Sequence, residues 1–329
     1  MQYAVIGTGW IVDSYIEGCE IAGNCELAAI CSRTREKGLA FGEKYGVSKV
    51  YTSVEELAES EIPAVYIASP NALHYKQARC LLEAGKHVIC EKPITVTPAE
   101  CEVLQKLAAQ KGLIYLEAIM MMHLPQRKIV EELLPKLGRI TSVRFDFSQL
   151  SSKYPAYLRG ELPNIFNPKM ATGSLMDLGV YCVYPAVAWF GMPDEVWSSA
   201  SFLESGADES CAAVLKYSDK LVVLNCSKTG QSRLGSEVIG DEGTLAIDSI
   251  SKLTGIRLFD RSGNVEEVVG DIEKNVLMSG EAGDFYRYIT QPEETAEEYR
   301  CCSQLAVNVS RLMEKIRMQS GIHFEEETL

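Results

Sequence analysis

The sequence predicts an α/β fold: a parallel sheet wrapped by helices, followed by an α+β domain on an open, mostly antiparallel sheet. Up to about residue 121, short apolar runs alternate with helical stretches, which is typical of βαβ units. Beyond that point, several strand-like runs follow one another with only turn signals between them, which indicates antiparallel pairing. We therefore predict two domains, residues 1–121 and 122–329.

The first domain should contain five parallel strands. Helix starts are marked by capping-box spacing at Ser53 with Glu56 and at Thr97 with Glu100. The strand-like runs are Tyr3 to Ile6, Leu27 to Ile30, Ala64 to Ile67, His87 to Cys90 and Leu113 to Leu116.

The second domain should begin with one helix, a strand over 140–147, an irregular segment and a helix from about Ser174. A single helix over 296–318 should end it, because apolar residues recur there at helical spacing. The strands expected in between cover 196–203, 211–217, 221–226, 237–248 and 256–259.

Composition excludes several classes of protein. The chain has 329 residues and a net charge of -13, which would repel nucleic acid. No apolar run approaches the roughly 18 to 20 residues that cross a bilayer, and no leader is apparent, so we expect no membrane association and a cytoplasmic location. The eleven cysteines read as buried thiols, and neither they nor the four histidines have metal-ligand spacing. We expect no metal and activity without divalent ions.

A glycine turn follows the first strand. Two glycines of a dinucleotide fingerprint are present, and Val12 stands where a third would be. The turn lets backbone approach a pyrophosphate at a helix N-terminus, although a generic strand-turn-helix would show the same residues. The pattern favours a Rossmann fold that binds NAD or NADP, with cofactor-binding residues Gly7, Thr8, Gly9, Trp10 and Ile11.

The second strand ends without the carboxylate that would bind the ribose 2′-hydroxyl of NAD. Ser32 and Arg33 stand there and could hold the 2′-phosphate of NADP instead. The alternative is that Arg33 is an ordinary surface residue at a strand end. We predict NADP, with NAD possible.

Two motifs carry a specific resemblance: Ser69-Pro70-Asn71-Ala72-Leu73-His74, and Gly85-Lys86-His87-Val88-Ile89-Cys90-Glu91-Lys92-Pro93. The chain resembles the glucose-fructose oxidoreductase, inositol dehydrogenase and rhizopine catabolism protein (Gfo/Idh/MocA) family. Residues 166–183 resemble its second signature, and Asp177-x-Gly179-x-Tyr181 is similar to the dihydrodiol dehydrogenase and NADP-dependent xylose dehydrogenase branch.

The resemblance implies where the cofactor lies. Pro70, Asn71 and His74 would lie near the nicotinamide ribose, with Ser69 beside them. Glu91 would lie near the ribose hydroxyls and Lys92 between cofactor and substrate. His74 is equally compatible with a helix N-terminal residue that has no catalytic part.

Lys92, Asp177 and Tyr181 also make chemical sense without the family. Lys92 follows a parallel strand, where ligands bind in open α/β sheets. Asp177 and Tyr181 are spaced i, i+4 and should share one helical face. A nearby ammonium stabilises a tyrosinate, so Tyr181 would be the general acid and base, with Asp177 orienting substrate. The alternative is a surface lysine and a core tyrosine.

The segment 151–167 is rich in aromatic and amide side chains. It is interpreted as a lid that binds a polyol through Asn164, Phe166 and Asn167, or else as an inert surface loop. The run Met120-Met121-Met122-His123, where relatives often carry an arginine, predicts an apolar wall, so substrate identity is not transferred from relatives.

These features predict an NADP(H)-dependent oxidoreductase that interconverts an alcohol or hemiacetal and a carbonyl on a sugar, polyol or cyclic diol, in a crevice between the domains. The rivals are an NAD-dependent polyol or inositol dehydrogenase, a non-catalytic nucleotide sensor and a structural subunit. Alternate apolar residues such as Val222, Leu224 and Cys226 suggest that one sheet face is covered by helices and that the other needs a partner, hence a homodimer or homotetramer.

Overall fold

The computed structural model describes residues 1–324, which form two compact units. Among the described residues, one unit contains Met1–Met120 and Glu273–Val307, and the other contains Met121–Ile272 and residues 308–324. The boundary near residue 121 agrees with the change of sequence pattern. The return of Glu273–Val307 to the first unit does not follow from that pattern.

The first 120 residues alternate strands and helices. In chain order they are β1 Gln2–Ile6, α1 Trp10–Ala22, β2 Glu26–Cys31, α2 Arg35–Gly42, β3 Val50–Tyr51, α3 Val54–Ala58, β4 Ala64–Ile67, α4 His74–Glu83, β5 His87–Glu91, α5 Pro98–Lys111 and β6 Tyr115–Ala118. Ser53 caps α3, and Thr97 forms a capping box with Glu100 at α5, as predicted.

The strands of the first unit form one parallel sheet in the order β3-β2-β1-β4-β5-β6. This is the doubly wound Rossmann order, in which the chain reverses direction across the sheet between β1 and β4. The strand register pairs Ile6 with Cys31 and Ile67, and Ile67 with Cys90. The segments that follow these four residues therefore lie side by side at the carboxyl edge of the sheet.

The remaining elements of the chain are α6 Pro125–Leu133, β7 Ile140–Ser148, α7 Tyr154–Leu158, α8 Val180–Phe190, β8 Glu195–Phe202, β9 Asp208–Lys216, β10 Leu221–Ser227, β11 Ser236–Gly240, β12 Gly243–Ser249, β13 Thr254–Asp260, β14 Val265–Val269, α9 Lys274–Thr290 and α10 Pro292–Gln319. A π-helical turn, Leu175–Gly179, precedes α8. The strands from β7 to β14 form the sheet of the second unit.

That sheet has eight strands in the order β14-β13-β12-β11-β7-β10-β9-β8. Its pairs are antiparallel except β7 with β10, which is parallel. One face is covered by α8, where Trp189 meets Phe145 edge to face, and by the end of α10, where Ser198 Oγ donates to Ile316 O at 3.0 Å. The mostly antiparallel sheet is confirmed.

Several predicted boundaries were wrong. The run 237–248 is two strands, because Asp241 and Glu242 form a tight turn between β11 and β12. The predicted final helix over 296–318 is α10, but the helix before it, α9, was not predicted. The segment 151–167 contains the short helix α7 and a 3-10 turn. Strands β3 and β14 were not predicted.

Helix α9 belongs to the first unit because it packs against α1. A Cβ on Gly18 would lie 2.8 Å from the Met278 backbone carbon, so only glycine permits this approach. On the same side of α1, Tyr15 stacks on Tyr66 of β4 with ring centroids 3.9 Å apart. The close contact places α9 alongside α1, the helix that follows the glycine turn.

All eleven cysteines are free thiols, and seven of them are buried. Cys301 is exposed, so the expectation that the cysteines are buried is wrong for this residue. Within residues 1–324 no three His, Cys, Asp or Glu side chains are grouped as metal ligands. In the same residues, no helix combines the length and apolar character needed to span a bilayer.

Candidate active site and nucleotide-binding edge

The glycine turn after β1 leaves open backbone at the start of α1. Gly7 has φ 116°, and a Cβ there would lie 2.7 Å from the Ala68 carbonyl oxygen, so the turn requires glycine. Gly9 is the N-cap of α1, has open space around its Cβ position and supplies no side-chain cap. An anion can therefore approach the first-turn N–H groups, which fits a pyrophosphate.

Val12 fills the place of the missing third glycine. Its side chain is fully buried, and a methyl lies 3.6 Å from where a Gly7 Cβ would be. The helix therefore packs on the strand with a valine. The departure from the fingerprint leaves the pyrophosphate approach intact.

Ser32 and Arg33 lie at the carboxyl end of β2, on the same edge as the glycine turn. Ser32 N–H donates to Tyr51 O at 3.1 Å, which holds the strand end, and the Arg33 side chain is exposed. Thr34 then caps α2 by accepting from Lys37 N–H. The edge presents a hydroxyl and a guanidinium, a pair suited to a phosphate.

His74 joins the loops that follow β4 and β5. Its ring nitrogens lie 2.9 Å from Pro93 O and 2.9 Å from Ser69 O, and the side chain is fully buried. Burial lowers the pKa of His74 and outweighs the two carbonyl contacts, which raise it. Both ring nitrogens thus lie within hydrogen-bond distance of a carbonyl oxygen, one in each loop, and His74 links the two loops.

The other residues of the β4 loop are also held locally. Ser69 Oγ donates to Gln77 Oε1 at 2.7 Å. Pro70 precedes a 3-10 turn, Asn71–Leu73, in which Asn71 is buried. The loop is thus a fixed support at the carboxyl edge rather than a set of exposed polar side chains.

Glu91 and Lys92 end β5 at this edge. Tyr66 Oη donates to Glu91 Oε1 at 2.6 Å in a buried contact. Burial raises the pKa of Glu91, while the Lys92 ammonium and the Tyr66 hydrogen bond lower it. Lys92 is half-buried and precedes a cis bond to Pro93. A carboxyl and an ammonium therefore lie on the same edge of the sheet as the glycine turn.

Two residues of α9 join this edge and were missed by sequence reasoning. The Lys274 ammonium lies 3.7 Å from the ring centroid of Trp10, a glycine-turn residue that is 68% exposed. Glu281 is buried, and no hydrogen-bond partner of its carboxyl oxygens is present in residues 1–324. Burial, and next the charge of Glu91, raise the pKa of Glu281 well above its usual value. No local motif signals either residue.

In the second unit, Asp177 and Tyr181 do not lie on one regular helix. Asp177 belongs to the π-helical turn and Tyr181 to the first turn of α8. The prediction that both residues lie on one α-helix is therefore wrong, because Asp177 lies in the π-helical turn that precedes it. π-Helical turns are rare and occur frequently at functional sites, because they redirect side chains locally.

Asp208 anchors the start of the π-helical turn. Its Oδ2 accepts from Ser174 Oγ at 2.8 Å and from Leu175 N–H at 2.7 Å. Gly173, with φ 154°, makes room, because a Cβ there would lie 1.7 Å from Asp208 Oδ1. Burial raises the pKa of Asp208 against the lowering effect of these donors. The carboxyl of Asp208 therefore fixes the turn that carries Asp177. Sequence reasoning did not identify Asp208.

Lys228, the residue after β10, was also missed. Its buried ammonium forms an ion pair with Asp177 Oδ2. It lies 5.9 Å from the ring centroid of Phe166. A lysine directly after an apolar strand was the available signal.

Tyr181 is half-buried and meets Phe147 edge to face, with ring centroids 5.4 Å apart. This edge-to-face contact helps to fix the position of the ring.

The segment 151–167 is folded around Phe166. That ring is fully buried and packs with Tyr154 and Tyr157, so it supports the segment from within rather than presenting a face to a ligand. Asn164 is exposed, and Asn167 Oδ1 accepts from Lys169 N–H. Met120, Met121, Met122 and His123 are all buried.

Comparisons with known proteins agree with this architecture. Residues 1–118 match the family model described as "Oxidoreductase family, NAD-binding Rossmann fold". Residues 130–246 match the model described as "GFO/IDH/MocA C-terminal domain".

Similar curated proteins cover almost the whole chain. The uncharacterized oxidoreductase YgjR of Escherichia coli is 35% identical over 100% of this chain and 99% of its own length. The scyllo-inositol 2-dehydrogenase (NADP(+)) IolU of Bacillus subtilis is 34% identical over 98% of each chain. Among solved structures, the 3-ketoreductase KijD10 of Actinomadura kijaniata has a TM-score of 0.84 at 22% identity, covering 97% of this chain and 98% of its own.

The family prediction is confirmed by both domain models and by full-length relatives above 30% identity. The protein is therefore an NAD(P)-dependent oxidoreductase acting on CH–OH groups, a member of the Gfo/Idh/MocA family.

Proposed function

We propose that this enzyme interconverts a secondary alcohol or hemiacetal and the corresponding carbonyl on a sugar, polyol or cyclic diol, with NADP(H) as cofactor. The observation that carries the proposal is Lys92, an ammonium on the same carboxyl edge of the Rossmann sheet as the glycine turn. The similarity to IolU, named as an NADP(+)-dependent scyllo-inositol dehydrogenase, supports the substrate class.

Each proposed site residue has a chemical task. The nicotinamide ring, when bound, accepts or supplies the hydride. The Tyr181 hydroxyl takes the proton from the substrate hydroxyl or returns it to the carbonyl oxygen. The Lys92 ammonium donates a hydrogen bond to that reacting oxygen, and Asp177 accepts one from a substrate hydroxyl. These roles are inferred from the family motif and from the chemistry of the hydroxyl, ammonium and carboxylate groups that these residues carry.

The cofactor lies, in this proposal, along the carboxyl edge of the first unit. Gly7, Thr8, Gly9, Trp10 and Ile11 would hold the pyrophosphate, Ser32 and Arg33 the 2′-phosphate, and Ser69, Pro70, Asn71, His74, Glu91 and Lys92 the ribose and nicotinamide. Residues 1–121 would form the nucleotide-binding domain and 122–329 the substrate-binding and oligomerisation domain. Asn164 and Asn167 are proposed substrate contacts.

The test is reduced-nicotinamide absorbance with pooled aldoses, inositols and cyclic diols, offered with NADP and with NAD. We expect turnover on at least one pool, faster with NADP. If calorimetry shows nucleotide binding but no pool is turned over in either direction, the sensor alternative is favoured instead.

We predict that NADP binds more tightly than NAD and that Arg33→Ala removes much of this preference. Arg33 is exposed at the end of β2, where a guanidinium can pair with a 2′-phosphate. Titration calorimetry with both cofactors measures the effect. Arg79→Ala is the control, because Arg79 pairs with Glu83 on the surface of α4. Equal affinities in the wild-type protein would contradict the prediction.

We also propose a homodimer or homotetramer formed through the uncovered sheet face. Val222, Leu224 and Cys226 are buried on the covered face, as their alternation predicts. The opposite face exposes Trp197 by 47% and Leu221 by 46%. Light scattering at micromolar concentration should give a multiple of the monomer mass. A monomer mass throughout would refute it.

The free cysteines support a cytoplasmic location, since reduced thiols persist in reducing compartments.

A further inference from the structure

Lys228 is held rigidly at the end of β10. Its backbone N–H donates to Glu209 O at 2.9 Å, and its carbonyl accepts from Ser151 N–H at 2.9 Å. The side chain is only 2% exposed. Burying an ammonium costs several kcal/mol unless a carboxylate compensates it, so the position of this charge needs an explanation.

The ammonium acts on two acidic groups, one within the π-helical turn and one that anchors its start. It pairs directly with Asp177, and its charge also acts on Asp208. Asp208 is buried and already accepts from Ser174 and Leu175, so its task is to anchor the turn. Asp177 keeps 30% of its side chain exposed. Of the two carboxylates, Asp177 alone combines the ion pair with an exposed part.

We propose that Lys228 is a positioning residue for substrate recognition: it holds Asp177 in one rotamer as a charged acceptor for a substrate hydroxyl. This inference rests on the proposed function, because it gives Asp177 a sugar-like substrate to bind. A carboxylate fixed in this way accepts hydrogen bonds and donates none. It therefore selects a hydroxyl at the position it contacts and disfavours a deoxy or keto group there.

The pair also explains why the lysine is buried. An exposed ammonium would be hydrated and mobile, and it would compete with the substrate hydroxyl for Asp177 as a loose donor. Because the Lys228 side chain is buried and its backbone is hydrogen-bonded on both sides, its ammonium is held in one position relative to Asp177. The orientation of the carboxylate is thus set before substrate arrives, which lowers the entropic cost of binding.

The experiment is a double-mutant cycle of Lys228→Met and Asp177→Asn with the full-length protein. The kinetic readouts are kcat and KM for the best substrate of the panel, and calorimetry measures NADP affinity. We expect Lys228→Met to lower kcat/KM roughly 10- to 100-fold, the coupling found within ion-pair networks, while NADP affinity is unchanged. In the Asp177→Asn background, the same change should alter kcat/KM by less than about twofold.

Urea unfolding of the four proteins adds a readout that does not need activity. Asp177→Asn leaves a buried ammonium without its carboxylate, so it should destabilise the fold, and Lys228→Met added to it should restore part of the loss. Lys228→Gln, which keeps a donor but not the charge, replaces Lys228→Met if the latter fails to fold. Lys220→Met is the matched control, since Lys220 precedes β10 and pairs with Asp219.

The outcomes are distinct. Equal losses of kcat/KM from Lys228→Met in both backgrounds, or an effect no larger than that of Lys220→Met, would overturn the inference and leave the proposed function standing. Absence of wild-type turnover on every pool would overturn the proposed function, and this role of Lys228 with it.

Discussion

Tyr181→Phe is expected to lower turnover by about two to four orders of magnitude, the usual contribution of a positioned proton donor and acceptor. The substitution keeps the aromatic ring and its edge-to-face contact with Phe147. The fold and NADP affinity should therefore survive. Steady-state kinetics, circular dichroism and calorimetry on the same preparation measure the three properties.

Tyr184→Phe is the control for this variant. Tyr184 lies on the same helix, α8, and is buried, so it tests whether loss of any tyrosine hydroxyl in that helix reduces activity. Turnover of Tyr181→Phe near the wild-type rate would refute the assignment and leave Lys92 as the next candidate for the proton transfer.

Lys92→Met should reduce turnover at least as much, and it should also weaken NADP binding. The ammonium serves both the reacting oxygen and the cofactor edge in the proposed mechanism, so its loss removes two interactions. Lys86→Met is the matched control, because Lys86 precedes β5, contacts the Ser60 carbonyl and lies at the opposite end of the strand.

The Lys92 variant has a pH signature. Burial raises the pKa of Glu91, and Lys92 opposes this by favouring the carboxylate. If the Glu91 carboxylate accepts from the ribose hydroxyls, NADP affinity should fall as pH decreases through that pKa. Removing the ammonium raises the pKa further, so the fall should begin at higher pH in Lys92→Met. Calorimetry across pH measures the NADP affinity of both proteins. If the affinity falls over the same pH range in Lys92→Met as in the wild-type protein, Glu91 does not contribute to NADP binding as proposed.

Local signals were sufficient for much of the fold. The parallel sheet followed from apolar runs that alternate with capped helices, because caps and strand patterns depend on neighbours along the chain. The β11–β12 turn was missed although Gly240-Asp241-Glu242-Gly243 carried a turn signal. Helix α9 was missed because Gly280, Gly283 and the buried Glu281 interrupt its apolar pattern.

The sequence by itself determined the Rossmann fold, through the alternation of strand and helix patterns over the first 120 residues. It also determined the glycine turn and the Glu91-Lys92 and Asp177-to-Tyr181 motifs, since each of these is carried by a short contiguous segment. Only the tertiary structure decided which charges surround them. Lys274 and Glu281 reach Trp10 and Glu91 from a helix far along the chain, and Lys228 reaches Asp177 from the end of β10. Such pairs join distant segments, and a buried charge leaves no periodic trace in the sequence, because its compensation depends on which strand end lies beside it in space.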